Sequence, residues 1–211
     1  MKSFEQWDTD ELELTFGLRQ LDTMPALEVW LQANNAITEE ERNFVAMLRE
    51  SARKNVDAWN EDELKMKFIA PLLLLIHFDQ ERYRAFSGRK FKAVVQGVEI
   101  GGEVDFVVAT GRKTPREPFF FVHEYKRERG RERDPLGQLL AGMLAAQELN
   151  TMPHRLYGCY VLGRNWFFVV LEGKEYAVSD AFVSTQDDIF QILSIIKQAK
   201  QLIEEILQMT P

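Results

Sequence analysis

The sequence predicts an α/β domain in which a mixed central β-sheet is flanked by helices and preceded by a helical extension. Three observations lead to this prediction. Residues 1–57 carry helix signals throughout. Apolar runs rich in β-branched and aromatic residues then recur between residues 83 and 178, which is typical of buried strands. Helix signals return at Asp134-Pro135 and near the end of the chain, so helices and strands alternate as an α/β fold requires.

Capping residues define helices in the first part of the chain. Pro25 can begin one helix, because its fixed φ angle and missing N–H group suit the first helical position. Thr38 followed by Glu41 is a capping-box pattern, which predicts a second helix directly after Thr38. We therefore expect residues 1–57 to form a wholly helical extension and residues 58–211 to form the principal domain.

A further capping box begins the principal domain. Asn60 followed by Glu63 predicts a helix, which Pro71 should kink or interrupt. From residue 82 the hydrophobic period changes to that of strands, and the first three are expected to form an antiparallel meander with turns at Ser87-Gly88 and Gly101-Gly102. The later strands are predicted at Phe119–Val122, Leu156–Leu162, Trp166–Leu171 and Tyr176–Val178, and Thr185 caps a last helix that ends near Met209.

The candidate chemistry lies on two of these strands. Asp105 lies within one apolar strand, and Glu124 and Lys126 follow the apolar run of another. Because strand side chains alternate between faces, Glu124 and Lys126 point the same way and Tyr125 points the other. Pairing of the two strands would bring two carboxylates and one ammonium together. Carboxylate oxygens are hard ligands that suit Mg²⁺, so the pattern indicates a magnesium site that works with phosphate groups.

An Asp, a gap of about twenty residues and a Glu-x-Lys on an apolar strand resemble the motif of the PD-(D/E)XK nuclease superfamily. The resemblance covers roughly residues 60 to 180 and implies the restriction-endonuclease-like fold. In that superfamily the Asp and the Glu hold a divalent metal, and the Lys assists the attacking water. On this chain the resemblance assigns those roles to Asp105, Glu124 and Lys126. It implies Mg²⁺ or Mn²⁺ as cofactor and the main-chain carbonyl of Tyr125 as a further ligand.

Two helical residues complete the set that the resemblance implies. An upstream helical Glu and a downstream helical Gln often accompany the motif, and Glu63 and Gln138 match them. Glu63 is equally well explained as a helix cap, and Glu61 is a weaker substitute for it. Gln138 would orient Lys126 or a water molecule. The branch of the superfamily with a Tyr four residues after this Gln is not matched, because Gly142 stands there.

Basic residues are concentrated around the motif. The whole chain has a net charge of −7, which argues mildly against broad nucleic-acid affinity. Residues 82–133, however, contain thirteen Lys and Arg against seven Asp and Glu, so this part carries +6 and the remainder −13. An ordinary solvated face explains such a run as well as a nucleic-acid surface does. The expected phosphate contacts are Arg112, Lys113, Arg127, Arg129, Arg131 and Arg133.

Composition and the other motifs narrow the function classes. A hydrophobic share of 45% and a charged share of 28% are typical of soluble globular chains. The single cysteine, Cys159, excludes a disulfide framework and indicates a reducing compartment. No signal-peptide core or bilayer-spanning stretch is recognised, so we expect a cytoplasmic protein without membrane contact. Zinc-ligand spacing, a Walker loop, a serine-hydrolase elbow and a dinucleotide fingerprint are absent from the sequence.

Three hypotheses follow for the function. The first is a metal-dependent nuclease that hydrolyses phosphodiester bonds of DNA, with RNA a weaker candidate. The second is a catalytically inactive module of the same fold that binds nucleic acid or a protein partner in a defence or repair complex. The third is an unrelated α+β interaction domain in which Asp105, Glu124 and Lys126 form an ion-pair cluster. The N-terminal helices are candidates for homodimerisation or for binding a protein partner.

Overall fold

The fold is organised around a mixed β-sheet, as seen in a computed structural model that describes residues 1–128 and 134–209. The strands are β1 (Lys2–Ser3), β2 (Arg19–Gln20), β3 (Arg84–Val95), β4 (Val98–Thr110), β5 (Arg116–Lys126), β6 (Leu156–Leu162), β7 (Asn165–Glu172), β8 (Glu175–Val178) and β9 (Phe182–Val183). Seven of them follow the order β1-β4-β5-β6-β7-β8-β2, while β3 pairs with β4 and β9 pairs with β7. The predicted α/β class with a mixed sheet is confirmed.

Helices cover both faces of this sheet. They are α1 (Thr9–Phe16), α2 (Pro25–Leu31), α3 (Glu39–Asn55), α4 (Glu61–Leu64), α5 (Ala70–Leu74), α6 (Pro135–Leu149) and α7 (Asp188–Met209). A 3₁₀ turn at Phe4–Gln6 precedes α1, and a π-helical turn at Lys65–Ile69 joins α4 to α5. Among the described residues, none of the helices combines the length and the apolar character needed to cross a membrane.

The pairing of the strands places the middle of the sheet around β5. Strands β5 and β6 are parallel, and α6 forms the crossover between them. Strands β4 and β5, like β6 and β7, are antiparallel. Nine residues of α6 are buried, two of them the glycines Gly137 and Gly142, so the helix can approach the sheet closely. Asp134 caps this helix by accepting the N–H of Leu136 at 3.0 Å, as the sequence predicts.

Two apolar layers hold the helices on the sheet. On one face, α2, α3, α5 and α7 pack against Phe121, Tyr125 and Phe168. On the other face, α1 and α6 pack against β-strand residues such as Val107 and Val122. In the first layer, the indole of Trp30 on α2 packs edge-on against Phe121 of β5, with 5.7 Å between the ring centroids. This burial is the principal stabilising contribution in such a fold.

The prediction that residues 1–57 are wholly helical is wrong at two places. Helices α2 and α3 are confirmed with their predicted starts, and the Thr38 capping box is formed. However, β1 pairs in parallel with β4, and β2 pairs in parallel with β8. Two-residue strands carry no hydrophobic period, because main-chain pairing rather than side-chain pattern holds them. The first 57 residues therefore add two strands to the central sheet and side chains to both apolar layers.

The predicted turns at Ser87-Gly88 and Gly101-Gly102 are also wrong, since β3 and β4 run through them. The hairpin turn lies instead at Gln96-Gly97, with φ angles of 48° and 84°. Gly102 serves close packing, because a Cβ atom added there would lie 2.8 Å from the backbone nitrogen of Phe4. A glycine needed for close approach gives the same sequence signal as a glycine needed for a turn.

Candidate active site

The candidate site lies where β4 and β5 separate. Their ladder ends at the pair Phe106 and His123. Farther along, β4 pairs with β1 through Ile100 and Gly101, whereas β5 continues beside β6. Asp105 on one strand and the stretch Glu124–Lys126 on the other therefore border an opening in the sheet. We call this opening the fork.

A cleft of about 520 Å³ occupies the fork. Among the residues that the structure describes, its lining is Met1, Ser3, Phe4, Glu5, Glu61, Lys65, Lys90, Gly101, Gly102, Glu103, Asp105, Glu124, Lys126 and Gln138. The cleft thus brings together four residues that the sequence singled out, namely Asp105, Glu124, Lys126 and Gln138. They come from two strands and the crossover helix α6, and β1 with the following 3₁₀ turn forms another part of the wall.

Asp105 is held by hydrogen bonds from two elements. Its Oδ2 accepts the backbone N–H of Tyr125 at 2.8 Å, which connects the two arms of the fork. Its Oδ1 accepts a hydrogen bond from Nζ of Lys65 at 2.7 Å. The side chain is 17% exposed, so both contacts lie partly shielded from solvent. The carboxylate is therefore oriented by a strand and by a helix.

Glu124 is the most buried charged group of the cleft, with a side chain 3% exposed. Burial raises the pKa of its carboxyl well above the ordinary value, and the nearby negative charge of Asp105 raises it further. Lys126 Nζ lies 2.8 Å from Glu124 Oε1 and opposes this shift. Oε1 is buried, and the Lys126 ammonium is its close charged neighbour.

Lys126 is a cation in this environment. Burial by itself would lower its pKa, but the carboxylates of Glu124, Glu61 and Asp105 together outweigh burial and the pKa is raised. Its Nζ also lies 3.8 Å from Oε2 of Glu61. As the strand alternation predicted, Glu124 and Lys126 share the cleft. The Tyr125 side chain lies on the other face, with its hydroxyl 2.8 Å from Nδ1 of His123.

Lys65 is a cleft residue that sequence reasoning missed. Its Nζ donates to Oδ1 of Asp105 and, at 2.5 Å, to Oε1 of Glu61. Burial would lower its pKa, but the hydrogen bond and charge of Asp105 raise it. Lys65 begins the π-helical turn, and such turns are frequent at functional sites. The nearest sequence signal is Pro71, which lacks an N–H group and so disturbs the helical hydrogen bonds just before it.

Glu63 does not take the place that the resemblance gave it. Its backbone N–H and carboxylate form the capping box with Asn60, at 2.8 and 3.1 Å, and its carboxylate accepts from Lys67 at 2.5 Å. It is not among the described residues that line the cleft, whereas Glu61 is. The capping role accounts for Glu63, because a Glu at the third helical position turns back toward the helix start.

The basic residues expected to contact phosphates belong to two segments of the chain. Arg112 and Lys113 lie in the loop between β4 and β5, and Arg112 is seven residues along the chain from Asp105. At about 3.3 Å per strand residue, this distance is on the order of 20 Å. Neither residue is among the described residues that line the cleft, and their role as phosphate contacts stays a prediction. Arg127 directly follows β5, and Arg129, Arg131 and Arg133 lie outside the described residues. The basic residue of β3 that does line the cleft is Lys90.

The cleft residues fit a hard divalent cation. Asp105 and Glu124 supply carboxylate oxygens, and Glu124 Oε1 is buried with Lys126 Nζ 2.8 Å away. Mg²⁺ binds proteins through one or two carboxylates and takes its other ligands from water and phosphate. Within residues 1–128 and 134–209, no cluster of three or more Asp, Glu, His or Cys side chains forms a complete metal cage. A cation here would therefore depend on Asp105, Glu124 and oxygens from outside the protein, with the Tyr125 carbonyl as a further candidate ligand.

The neighbouring His and Cys side chains belong to the core. His123 is fully buried, and burial lowers its pKa to about 3, so the imidazole is neutral. Cys159 is also fully buried, and burial raises the pKa of its thiol well above the ordinary value. Both residues lie in the same apolar layer as Tyr125 or directly against it. Neither side chain is among the described residues that line the cleft.

Comparisons with known proteins do not assign the chain to a family. A scan against protein-family models finds no model that matches the chain, and a search of curated proteins finds no matching relative. The function is therefore inferred from the cleft and from the motif on β4 and β5.

Proposed function

We propose that this protein is a metal-dependent nuclease that hydrolyses phosphodiester bonds of DNA. The observation that supports the proposal most is the meeting of Asp105, Glu124 and Lys126 in one cleft at the fork. Asp105 lies nineteen positions before Glu124 and on a different strand, and the order of residue types matches the nuclease motif. Two carboxylates that close together are stabilised by a cation, and phosphate oxygens complete the coordination of Mg²⁺.

In this proposal the carboxylates hold the metal and orient the substrate. Asp105 is fixed by the Tyr125 N–H, so its position does not depend on the metal. Glu124 lies in a nearly dry part of the cleft, where charge interactions are stronger than in water. A bound Mg²⁺ or Mn²⁺ would polarise the phosphate and acidify a water molecule. Because the pKa of Glu124 is raised, this carboxyl must lose its proton before it can bind the cation.

Lys126 and Gln138 act on the reacting groups. Lys126 is kept protonated by the neighbouring carboxylates, so it acts as a positive charge beside the phosphate and not as a base. A fixed positive charge stabilises the negative charge that develops when the phosphodiester is attacked. Gln138 enters the cleft from α6 and can orient a water molecule through its amide. Glu61 takes the part of the upstream Glu, because it lines the cleft and Glu63 does not.

A second candidate is the inactive module that binds nucleic acid or a protein partner. One observation favours it. The two carboxylates proposed as metal ligands already pair with lysine ammonium groups. Lys65 contacts Asp105 at 2.7 Å, and Lys126 contacts Glu124 at 2.8 Å. Such a cluster is satisfied in part without a metal. The net charge of −7 also favours it over a general DNA-binding enzyme.

A cleavage assay separates the two candidates. Supercoiled, linear and single-stranded DNA, and an RNA strand, are incubated with the protein in Mg²⁺ or Mn²⁺, beside Asp105→Ala and Lys126→Ala. The nuclease proposal expects that Asp105→Ala loses metal binding and cleavage together. Lys126→Ala should keep metal and DNA binding and slow cleavage by about a hundredfold or more, the usual effect of one electrostatic group.

Three other outcomes have definite meanings. Cleavage that survives both substitutions would indicate a contaminating nuclease. Metal binding without cleavage of any substrate would favour the inactive module. Absence of both metal binding and cleavage would leave the cluster as an ordinary set of ion pairs.

A further inference from the structure

The Lys65 ammonium contacts an Asp105 oxygen that a divalent cation would also bind. Its ammonium lies 2.7 Å from Oδ1 of Asp105 and 2.5 Å from Oε1 of Glu61. An ammonium at that distance satisfies the same carboxylate oxygen that a metal would use. The side chain is 28% exposed and ends a flexible four-carbon stem, so it can move without rearranging the helix.

Formal charges show what a cation would change. When ionised, the described lining carries five negative charges, on Glu5, Glu61, Glu103, Asp105 and Glu124, and three positive charges, on Lys65, Lys90 and Lys126. One divalent cation would neutralise this net charge of −2. A cation that contacts Asp105 would take the place of the Lys65 ammonium there. The negative charge of a phosphodiester group would then give that ammonium a new partner.

We propose that Lys65 makes cation binding in this cleft conditional on a phosphodiester substrate. Without substrate, Lys65 holds Asp105 and competes with the metal. With substrate, the ammonium leaves Asp105 for the phosphate, and metal and phosphodiester bind together. The inference rests on the nuclease proposal for the metal and the substrate class, and it adds how the two are coupled.

Glu61 explains why Lys65 would stay in the cleft after leaving Asp105. The two residues are four positions apart on one helical face, and their contact does not involve Asp105. Opposite charges at this spacing attract each other along a helix. Lys65 would therefore turn about the Glu61 contact and remain beside the substrate. Lys126 is less suited to this exchange, because it is 16% exposed and is held against Glu124.

Calorimetric titration with Ca²⁺ tests the coupling. Wild type, Lys65→Gln, Lys65→Arg and Lys67→Gln are titrated alone and in the presence of a short DNA duplex, and a gel confirms that the duplex stays intact. Lys67 is the matched control, since it lies on the same turn and pairs with Glu63 outside the cleft. Thermal unfolding of each variant confirms that it is folded.

We expect Lys65→Gln to bind Ca²⁺ alone about tenfold more tightly than wild type, a change within the range typical of coupled sites. The duplex should raise the Ca²⁺ affinity of wild type, and Lys65→Gln should lose most of that increase. Lys65→Arg, which keeps the charge, and Lys67→Gln should behave as wild type does. Binding of Ca²⁺ by Lys65→Gln but not by wild type alone would also support the inference.

Two results would overturn it, and they differ in what they say of the nuclease proposal. If wild type and Lys65→Gln bind Ca²⁺ with equal affinity and equal response to the duplex, Lys65 does not couple the ligands, but the metal site stands. If no variant binds Ca²⁺ with or without the duplex, the metal site and the role of Lys65 both fail.

Discussion

Asp105 accepts the backbone N–H of Tyr125 at 2.8 Å just beyond the last pair of the β4–β5 ladder. The Asp105 carboxylate thus accepts the N–H that a main-chain carbonyl of β4 would accept if the ladder continued. The same hydrogen bond fixes the direction of the carboxylate into the cleft. Asp105 therefore contributes to both stability and site geometry. Two different substitutions at this residue can separate the two contributions.

Asp105→Asn and Asp105→Ala should differ in stability but not in metal binding. The amide oxygen of Asn can still accept the Tyr125 N–H, whereas Ala leaves that buried donor without a partner. An unsatisfied buried group costs about 1–3 kcal/mol, so Asp105→Ala should be less stable than Asp105→Asn by that order. Both variants remove the negative charge and should lose divalent-cation affinity. Urea unfolding and calorimetry measure the two effects, and equal stability of the variants would contradict the bridging role.

The pH dependence of stability should reveal Glu124. Its pKa in the folded state is raised above the ordinary value near 4.5, mainly by burial and then by Asp105. The protonated form is therefore favoured by folding. Its contribution is fully present below the unfolded pKa and is lost as the pH rises through the folded pKa. Relative to Glu124→Gln, wild type should lose stability above pH 4.5, with a slope of at most about 1.4 kcal/mol per pH unit.

The affinity for the metal should rise with pH, whereas the stability contributed by Glu124 falls. Since a cation binds the ionised carboxylate, its uptake by the wild type should release protons where Glu124 is still protonated. Titrations in two buffers with different ionisation enthalpies count those protons. Glu124→Gln should release none and bind the cation weakly. A wild type that binds the metal without releasing protons at any pH between 5 and 8 would show that Glu124 is not a ligand.

Sequence reasoning succeeded where a local pattern determines the structure. The alternation in 119–126 correctly separates Glu124 and Lys126 from Tyr125, and Asp134 caps α6 as predicted. Lys65 could not be predicted in the same way, because its partner Asp105 lies forty residues farther along the chain. Gly102 of β4 misled the turn assignment, since its packing partner Phe4 lies nearly a hundred residues earlier. Contacts distant in sequence were the ones missed.

The pair Glu61 and Glu63 offers a matched test of the upstream acid. Glu61→Gln removes a carboxylate that contacts both Lys65 and Lys126, so we expect cation affinity and cleavage to fall. Glu63→Gln removes only an exposed pair with Lys67, because Gln can keep the capping box. Its stability should change little and its cleavage should be unchanged, because an exposed pair at this spacing contributes little. A larger loss of cleavage in Glu63→Gln than in Glu61→Gln would restore the role that the sequence gave to Glu63.

The last prediction concerns the surface that contacts DNA. The sequence favoured Arg112 and Lys113, whereas in the structure Lys90 lines the cleft and Lys92 is exposed on the same strand. The pair of Lys90 with Glu103 spans 3.7 Å between mostly exposed groups, so it holds Lys90 weakly. If the substrate lies over the fork, β3 is the nearer of the two basic surfaces.

Two double variants compare these surfaces directly, namely Lys90→Ala with Lys92→Ala and Arg112→Ala with Lys113→Ala. Affinity for a DNA duplex is measured over a range of salt concentrations with Ca²⁺ present. Each lost phosphate contact lowers the slope of log affinity against log salt by about 0.9. We expect the β3 variant to lose up to two contacts and the loop variant to lose fewer. A greater loss in the loop variant would place the duplex at the far end of the β4–β5 hairpin. Failure of the wild type to bind DNA even at low salt would count against any nucleic-acid role, because phosphate contacts are strongest under that condition.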